Sequence, residues 1–141
     1  MSESIVVGTD GSDTARRAVA EAVRLAKALG AELHVVSAYE PLRGVHVEGS
    51  SEIATLPDDV VDSTLAQAAA VGRFADVQVN THAVRGDPAD ALVDLAEAVG
   101  ASFIVVGNQG MHGAKRILGS VPNTVSHRAR CNVLIVATDA Q

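Results

Sequence analysis

The chain has 141 residues and a formal net charge of −6, with 48% hydrophobic residues but only 2% aromatics, namely Tyr39, Phe74 and Phe103. One domain spanning 1–141 is long enough to bury a core without staples, and that core has to be built from Ala, Val and Leu. The acidic balance argues against a nucleic-acid or other polyanion binder, and the single Cys131 excludes an internal disulfide or a multi-cysteine metal site. No apolar run approaches the roughly 20 residues of a membrane span. The opening Met-Ser-Glu-Ser lacks the basic and long apolar regions of a signal peptide, so a soluble, cytoplasmic domain is expected.

In chain order, short apolar runs alternate with amphipathic stretches, the signature of βαβ units around a parallel sheet. Ile5–Thr9 reads as the first strand. Ser12–Leu29 places Ala15, Ala18, Val19, Ala22, Val23, Ala26 and Leu29 on one helical face, with Arg16, Arg17, Glu21, Arg24 and Lys27 mostly opposite, as a wet face. Gly30 is the expected stop, and Leu33–Ala38 the second strand. Glu40–Leu56 carries Pro41, Gly44, Gly49, Ser50 and Ser51 with no clear period and reads as a long loop. A helix is expected from about Pro57, where Thr55-Leu56-Pro57-Asp58 resembles a capping box, to about Gly72. Val77, Val79, Thr81 and Ala83 alternate with Gln78, Asn80 and His82, the pattern of a strand with one wetter face. Asp87-Pro88 starts the next helix as cap and first residue, and Gly100 stops it.

Phe103–Gly107 reads as the fourth strand, followed by a glycine-punctuated loop, a short helix from about Ser120 to Ala129, and a fifth strand, Asn132–Thr138. The continuously apolar strands at Ile5 and Phe103 suit the sheet centre, and the alternating strand at Val77 suits an edge. The fifth strand is apolar on both faces, yet a five-strand sheet has a second edge. A bare apolar edge invites pairing, so a homodimer through Asn132–Thr138 is expected.

Ligands of an open parallel sheet bind beyond the carboxyl ends of the strands, where the winding direction reverses. The residues just after the first and fourth strands are therefore the candidates: Gly8-Thr9-Asp10-Gly11-Ser12-Asp13, and the run from Gly107 to Ser120. Glycines let a backbone approach a phosphate, a helix starting at Ser120 adds free N–H groups, and Asp10 suits a ribose hydroxyl or a divalent ion. Glycine-rich turns after strands are also common in any α/β domain. Neither loop matches a Walker or Rossmann signature.

Val-Gly-Thr-Asp-Gly-Ser near the start, Ser37-Ala38-Tyr39, Val105-Val106-Gly107-Asn108-x-Gly110, Leu118-Gly119-Ser120-Val121-Pro122-Asn123 and Cys131-Asn132-Val133-Leu134-Ile135-Val136 together resemble the universal stress protein family, over essentially the whole chain. The resemblance implies a three-layer α/β sandwich: an open five-stranded parallel sheet of order 3-2-1-4-5 with helices on both faces, often dimeric through the last strand. It also implies a stress-response regulator that binds an adenine nucleotide (ATP, AMP or cyclic AMP), non-catalytic or at most a slow ATP hydrolase. By matched position, Thr9 and Asp10 would meet the nucleotide, Asp10 facing the ribose or a nucleotide-bound Mg2+ or Mn2+. The Ala38 backbone would read the adenine, Gly107 and Gly110 would pass the ribose and phosphates, and Gly119, Ser120 and Val121 would cradle the phosphates. The glycine spacing departs from the family's usual Gly-x2-Gly-x9-Gly-Ser/Thr, because Met111–Leu118 supplies eight residues; Gly113 is placed to absorb the deletion, and a shorter-tailed ligand such as AMP or cyclic AMP becomes an option.

Three other functions compete. A nucleotide-cleaving α/β enzyme is disfavoured by a carboxylate in Thr9-Asp10-Gly11-Ser12-Asp13-Thr14 where a phosphate would approach. A flavodoxin-like carrier would stack its flavin on aromatics, and Tyr39 is the only Tyr or Trp. A dimeric scaffold that binds no nucleotide is the third. His34, His46, His82, His112 and His127 lack metal-ligand spacing and read as surface or hydrogen-bonded groups, with His112 placed to touch a ligand. Lys115 and Arg116 are the nearest cationic candidates, and Cys131 reads as a buried, inert thiol.

Overall fold

The computed structural model describes residues 3–39, 52–108 and 118–137, the side chains of 52–59 excepted. Along them run β1 (Ser4–Gly8), α1 (Asp13–Leu29), β2 (Glu32–Tyr39), α2 (Glu52–Phe74), β3 (Val79–Arg85), α3 (Pro88–Val99), β4 (Phe103–Gly107), α4 (Ser120–Arg128) and β5 (Asn132–Val136). All strand pairs are parallel, in the order β3-β2-β1-β4-β5, as the sequence led us to expect. The expected fifth strand ends at Val136, and Thr138 lies outside the described residues. No helix among the described residues is long and apolar enough to cross a membrane.

Strand side chains alternate between faces, and this splits the core in two. Ile5, Val7, Leu33 and Val35 point to one side, against Ala18, Ala22 and Ala26 of α1 and Leu65 and Ala69 of α2. Val6, Val36, Ile104 and Val106 point to the other, against Leu92, Val93 and Ala96 of α3 and Val125 of α4. Helices thus cover both faces. The largest fully buried side chains are Ile, Leu and Val, each contributing about 1.5–3 kcal/mol of burial, which replaces the missing aromatics.

The caps form as their residue types dictate. Ser12 Oγ accepts from the N–H of Ala15, Asp87 Oδ2 accepts from the N–H of Asp90, and Gly30 and Gly100 close their helices at φ 65° and 64°. Three details differ from the sequence reading. The helix expected from Pro57 starts at Glu52, inside the stretch read as loop; the rest of that loop, 40–51, lies outside the described residues. A proline removes one helical N–H, and Glu52, Ile53 and Ala54 ahead of it are compatible with another turn, so Thr55-Leu56-Pro57-Asp58 sits inside the helix and does not begin it. Leu29, placed on the buried face of α1, is 42% exposed as the last residue of the helix. On β3 the exposed residues after Val79 are Thr81, Ala83 and Arg85, while His82 and Val84 are half-buried. Gly72 of α2 lies against Val79 at the start of β3, whereas His82 and Val84 gain cover from the opposite face.

Candidate functional site

The chain winds from β1 to β2 on one side and joins β4 on the other, so the sheet's switch point lies between the carboxyl ends of β1 and β4. A cleft opens there, with about 660 Å³ of space when its open mouth is included. The β1 end supplies Gly8, Thr9 and Asp10; β2 supplies Val36 and Ala38; β4 supplies Val106 and Gly107. Pro88, Ala91 and Leu92 of α3 line it from one helix, and Val121 and Pro122 of α4 from another.

The loop after β1 is held by its own side chains. The Thr9 N–H donates to the Val36 carbonyl at 3.0 Å, Thr9 Oγ1 accepts from the N–H of Gly11 at 3.1 Å, and Asp10 Oδ1 accepts from the N–H of Ser12 at 2.9 Å. Gly11 sits at φ 83°, where a side chain is strained. One Asp10 oxygen is thus used in the turn, on an exposed side chain at the edge of the cleft.

Helices α1, α3 and α4 all begin at this end of the sheet, so three positive dipole ends point toward the cleft. They are not equivalent. Ser12 and Asp13 satisfy the start of α1, and Asp87 and Asp90 that of α3. The start of α4 has Gly119 as its cap, no side-chain hydrogen bond and no acidic residue in its first turn. Among the described residues no side chain takes up its first N–H groups, which suit an external acceptor. Among the described lining residues Asp10 is the one ionisable group, so the cleft pairs an aliphatic interior with a backbone-donor end.

Of the residues singled out from the sequence, Thr9, Asp10, Ala38, Gly107 and Val121 come together along this cleft. Gly119 and Ser120 adjoin Val121 at the start of α4 without forming the wall. Gly110 lies outside the described residues, as do Met111–Ile117, including His112, Gly113, Lys115 and Arg116; His46 lies outside them too. The sequence reading missed the α3 floor. Asp87-Pro88 was its signal, because a helix starting there returns from the same end of the sheet. A Cβ on Gly8 would stand 3.2 Å from Leu92 Cδ2, so glycine lets α3 close in.

Elsewhere, Arg16 pairs with Asp13, and Arg24 with Glu21, along the exposed face of α1. Burial pushes the Cys131 thiol pKa up, away from a reactive thiolate. Among the described residues no group of three or more His, Cys, Asp or Glu side chains is arranged to hold a metal ion.

The universal stress protein family model matches residues 1–137. Universal stress protein Rv1636 of Mycobacterium tuberculosis is 39% identical over 142 residues, covering 96% of this chain and 97% of the relative. Universal stress protein MJ0531 of Methanocaldococcus jannaschii is 35% identical over 138 residues, covering 95% and 81%. A solved universal stress protein in complex with cAMP superposes with a TM-score of 0.79 at 37% identity, covering 98% of both chains.

Proposed function

The chain belongs to the universal stress protein family, and from that membership we propose that it is an adenine-nucleotide-binding stress-response protein whose ligand occupies the cleft at the ends of β1 and β4. The observation that carries this reading is the start of α4, without a side-chain cap among the described residues, beside an aliphatic cleft. A flat base packs against Val36 and Ala38, the ribose meets Asp10, and the phosphate accepts from the backbone of Gly119, Ser120 and Val121. The related protein solved with cAMP supports the ligand class. AMP or cyclic AMP suits a lining without a described cation better than a triphosphate does. A Mg2+ or Mn2+ ion would arrive on the phosphates and take the free oxygen of Asp10, which alone is no metal site.

We read the protein as a binder and not as an enzyme. The described lining offers one carboxylate and no His, Cys or Lys to activate water. A flavin is disfavoured, since Tyr39 packs in the α1/α2 core on the opposite face from Val36 and Ala38. Self-association through β5 belongs to the same reading.

Ser120 is exposed at the first position of α4, and Ser120→Glu adds an acidic group there. The ligand-free protein should keep or slightly raise its Tm, by the about 0.3–1 kcal/mol that an acid at a helix start contributes. Calorimetric affinity for AMP and cyclic AMP should fall at least about tenfold, because a fixed carboxylate now competes with the phosphate. Unchanged affinity would place the phosphate elsewhere. No binding of ATP, ADP, AMP or cyclic AMP by the unaltered protein, with or without magnesium, would end the nucleotide reading.

A further inference from the structure

On the sheet face covered by α3, Glu32 and His34 of β2 and His82 of β3 form one hydrogen-bonded row. His34 is 7% exposed. Its Nε2 lies 2.9 Å from Glu32 Oε1, and its Nδ1 lies 3.0 Å from His82 Nε2. A carboxylate only accepts, so His34 donates through Nε2. Neutral His34 then accepts at Nδ1, and His82 donates through Nε2. The ring centroids are 5.2 Å apart, which lays the bond close to the line joining the rings and not in the convergent geometry of two metal ligands.

We propose that this Glu–His–His row is a proton-counting clamp, holding edge strand β3 on β2 while the two imidazoles carry at most one added proton and releasing it when they carry two. The first proton is shared by the row, and whichever ring carries it one imidazole still donates to the other across the His34 Nδ1–His82 Nε2 contact. A second proton has only the remaining acceptor nitrogen between the two rings left. It turns the acceptor into a donor facing another donor, and sets two cations 3.0 Å apart.

Glu32 balances one of those charges. The residues beside the pair on neighbouring strands are uncharged: Ser4 and Val6 on β1, Asn80 across from His34, and Val36 across from His82. The carboxylates of α3 and its cap are engaged elsewhere: Asp87, Asp90 and Asp94 act on Arg128 at the end of α4, and Glu97 pairs with Arg130 just beyond it. Glu32 is therefore the counter-charge among the described residues.

Burial, reinforced by His34, already holds the His82 pKa below its usual 6.5. A base whose pKa is lower folded than unfolded binds fewer protons when folded. The contribution of the clamp is complete above pH 6.5 and is lost as pH falls through 6.5 toward the folded value. His82 backs Val36, and Val84 backs Ala38, so the strand released is the one behind a wall of the cleft.

Amide hydrogen exchange of the ligand-free protein from about pH 7.5 to about pH 5 tests this, with β3 protection normalised to that of central β1. In the unaltered protein the β3-to-β1 ratio should fall below pH 6.5 by up to about tenfold per pH unit per linked proton. His82→Gln, which donates but cannot charge, should flatten the profile, and Glu32→Gln should move the loss to higher pH. A flat ratio in the unaltered protein, or the same acid loss in His82→Gln, overturns the proposal. Nitrogen-15 shifts of the unaltered protein near neutral pH give a second check: His34 should carry its proton on Nε2, and the opposite tautomer overturns the clamp even if a variant fails to fold.

Discussion

A methyl group on Gly72 would stand 2.4 Å from Val79 Cγ2, closer than carbon atoms pack. Alanine favours a helix interior over glycine by about 1 kcal/mol, yet here the contact wins. Gly72→Ala should destabilise by about 1–3 kcal/mol in urea denaturation, and adding Val79→Ala should leave the double variant less impaired than the two losses summed. A more stable Gly72→Ala would show that α2 does not press on β3. Asp10 offers a different separation of effects. Asp10→Asn keeps an oxygen for the Ser12 N–H, so the ligand-free Tm should not move, while any magnesium-dependent part of ATP affinity measured by calorimetry should disappear. An unchanged magnesium dependence would remove Asp10 from the ion. Residues of this kind were legible in the sequence because Thr9, Asp10, Ala38 and Gly107 terminate or directly follow strands, and position along the chain sets their end of the sheet. His34 and His82 were not, being 48 residues apart and brought together only by the β2–β3 register.

The elements divide along the same line between local and distant causes. Gly30, Asp87 and Gly100 act on their own helix ends, so the sequence identifies them and the structure forms them, while Ser12, read as the first residue of the helix, is its cap. The start of α2 was misplaced by a turn and more, because capping letters alone do not exclude a further turn ahead of a proline. At α3 the local rule carries a consequence for the cleft. Asp87→Ala removes the acceptor of the Asp90 N–H and should cost about 1 kcal/mol of stability. Because Pro88, Ala91 and Leu92 line the cleft, a frayed first turn should also weaken AMP or cyclic AMP binding, whereas Asp87→Ser should restore both stability and affinity. A loss of stability with affinity intact would detach the α3 floor from the ligand.

For the whole molecule the decisive contrast is between the two edges of one sheet. On β3, Thr81, Ala83 and Arg85 are exposed and Asn80 and His82 only partly covered, a polar border that water satisfies. On β5, Val133, Leu134 and Ile135 run consecutively and are each only half-buried in the single chain. The sequence showed this asymmetry through strand alternation alone, since one strand mixes polar and apolar positions and the other does not. An apolar edge with open N–H and C=O groups lowers its free energy by taking a strand from a second copy, and a symmetric pair leaves no further edge of that kind exposed. Sedimentation equilibrium should therefore give twice the chain mass over a wide concentration range. Ile135→Lys, which places a charge in the middle of the border proposed to pair, should shift the mass toward a single chain, while the equivalent change on the polar border, Thr81→Lys, should leave it doubled. A concentration-independent single-chain mass for the unaltered protein would mean that β5 is covered from within the chain, and the pairing would be wrong.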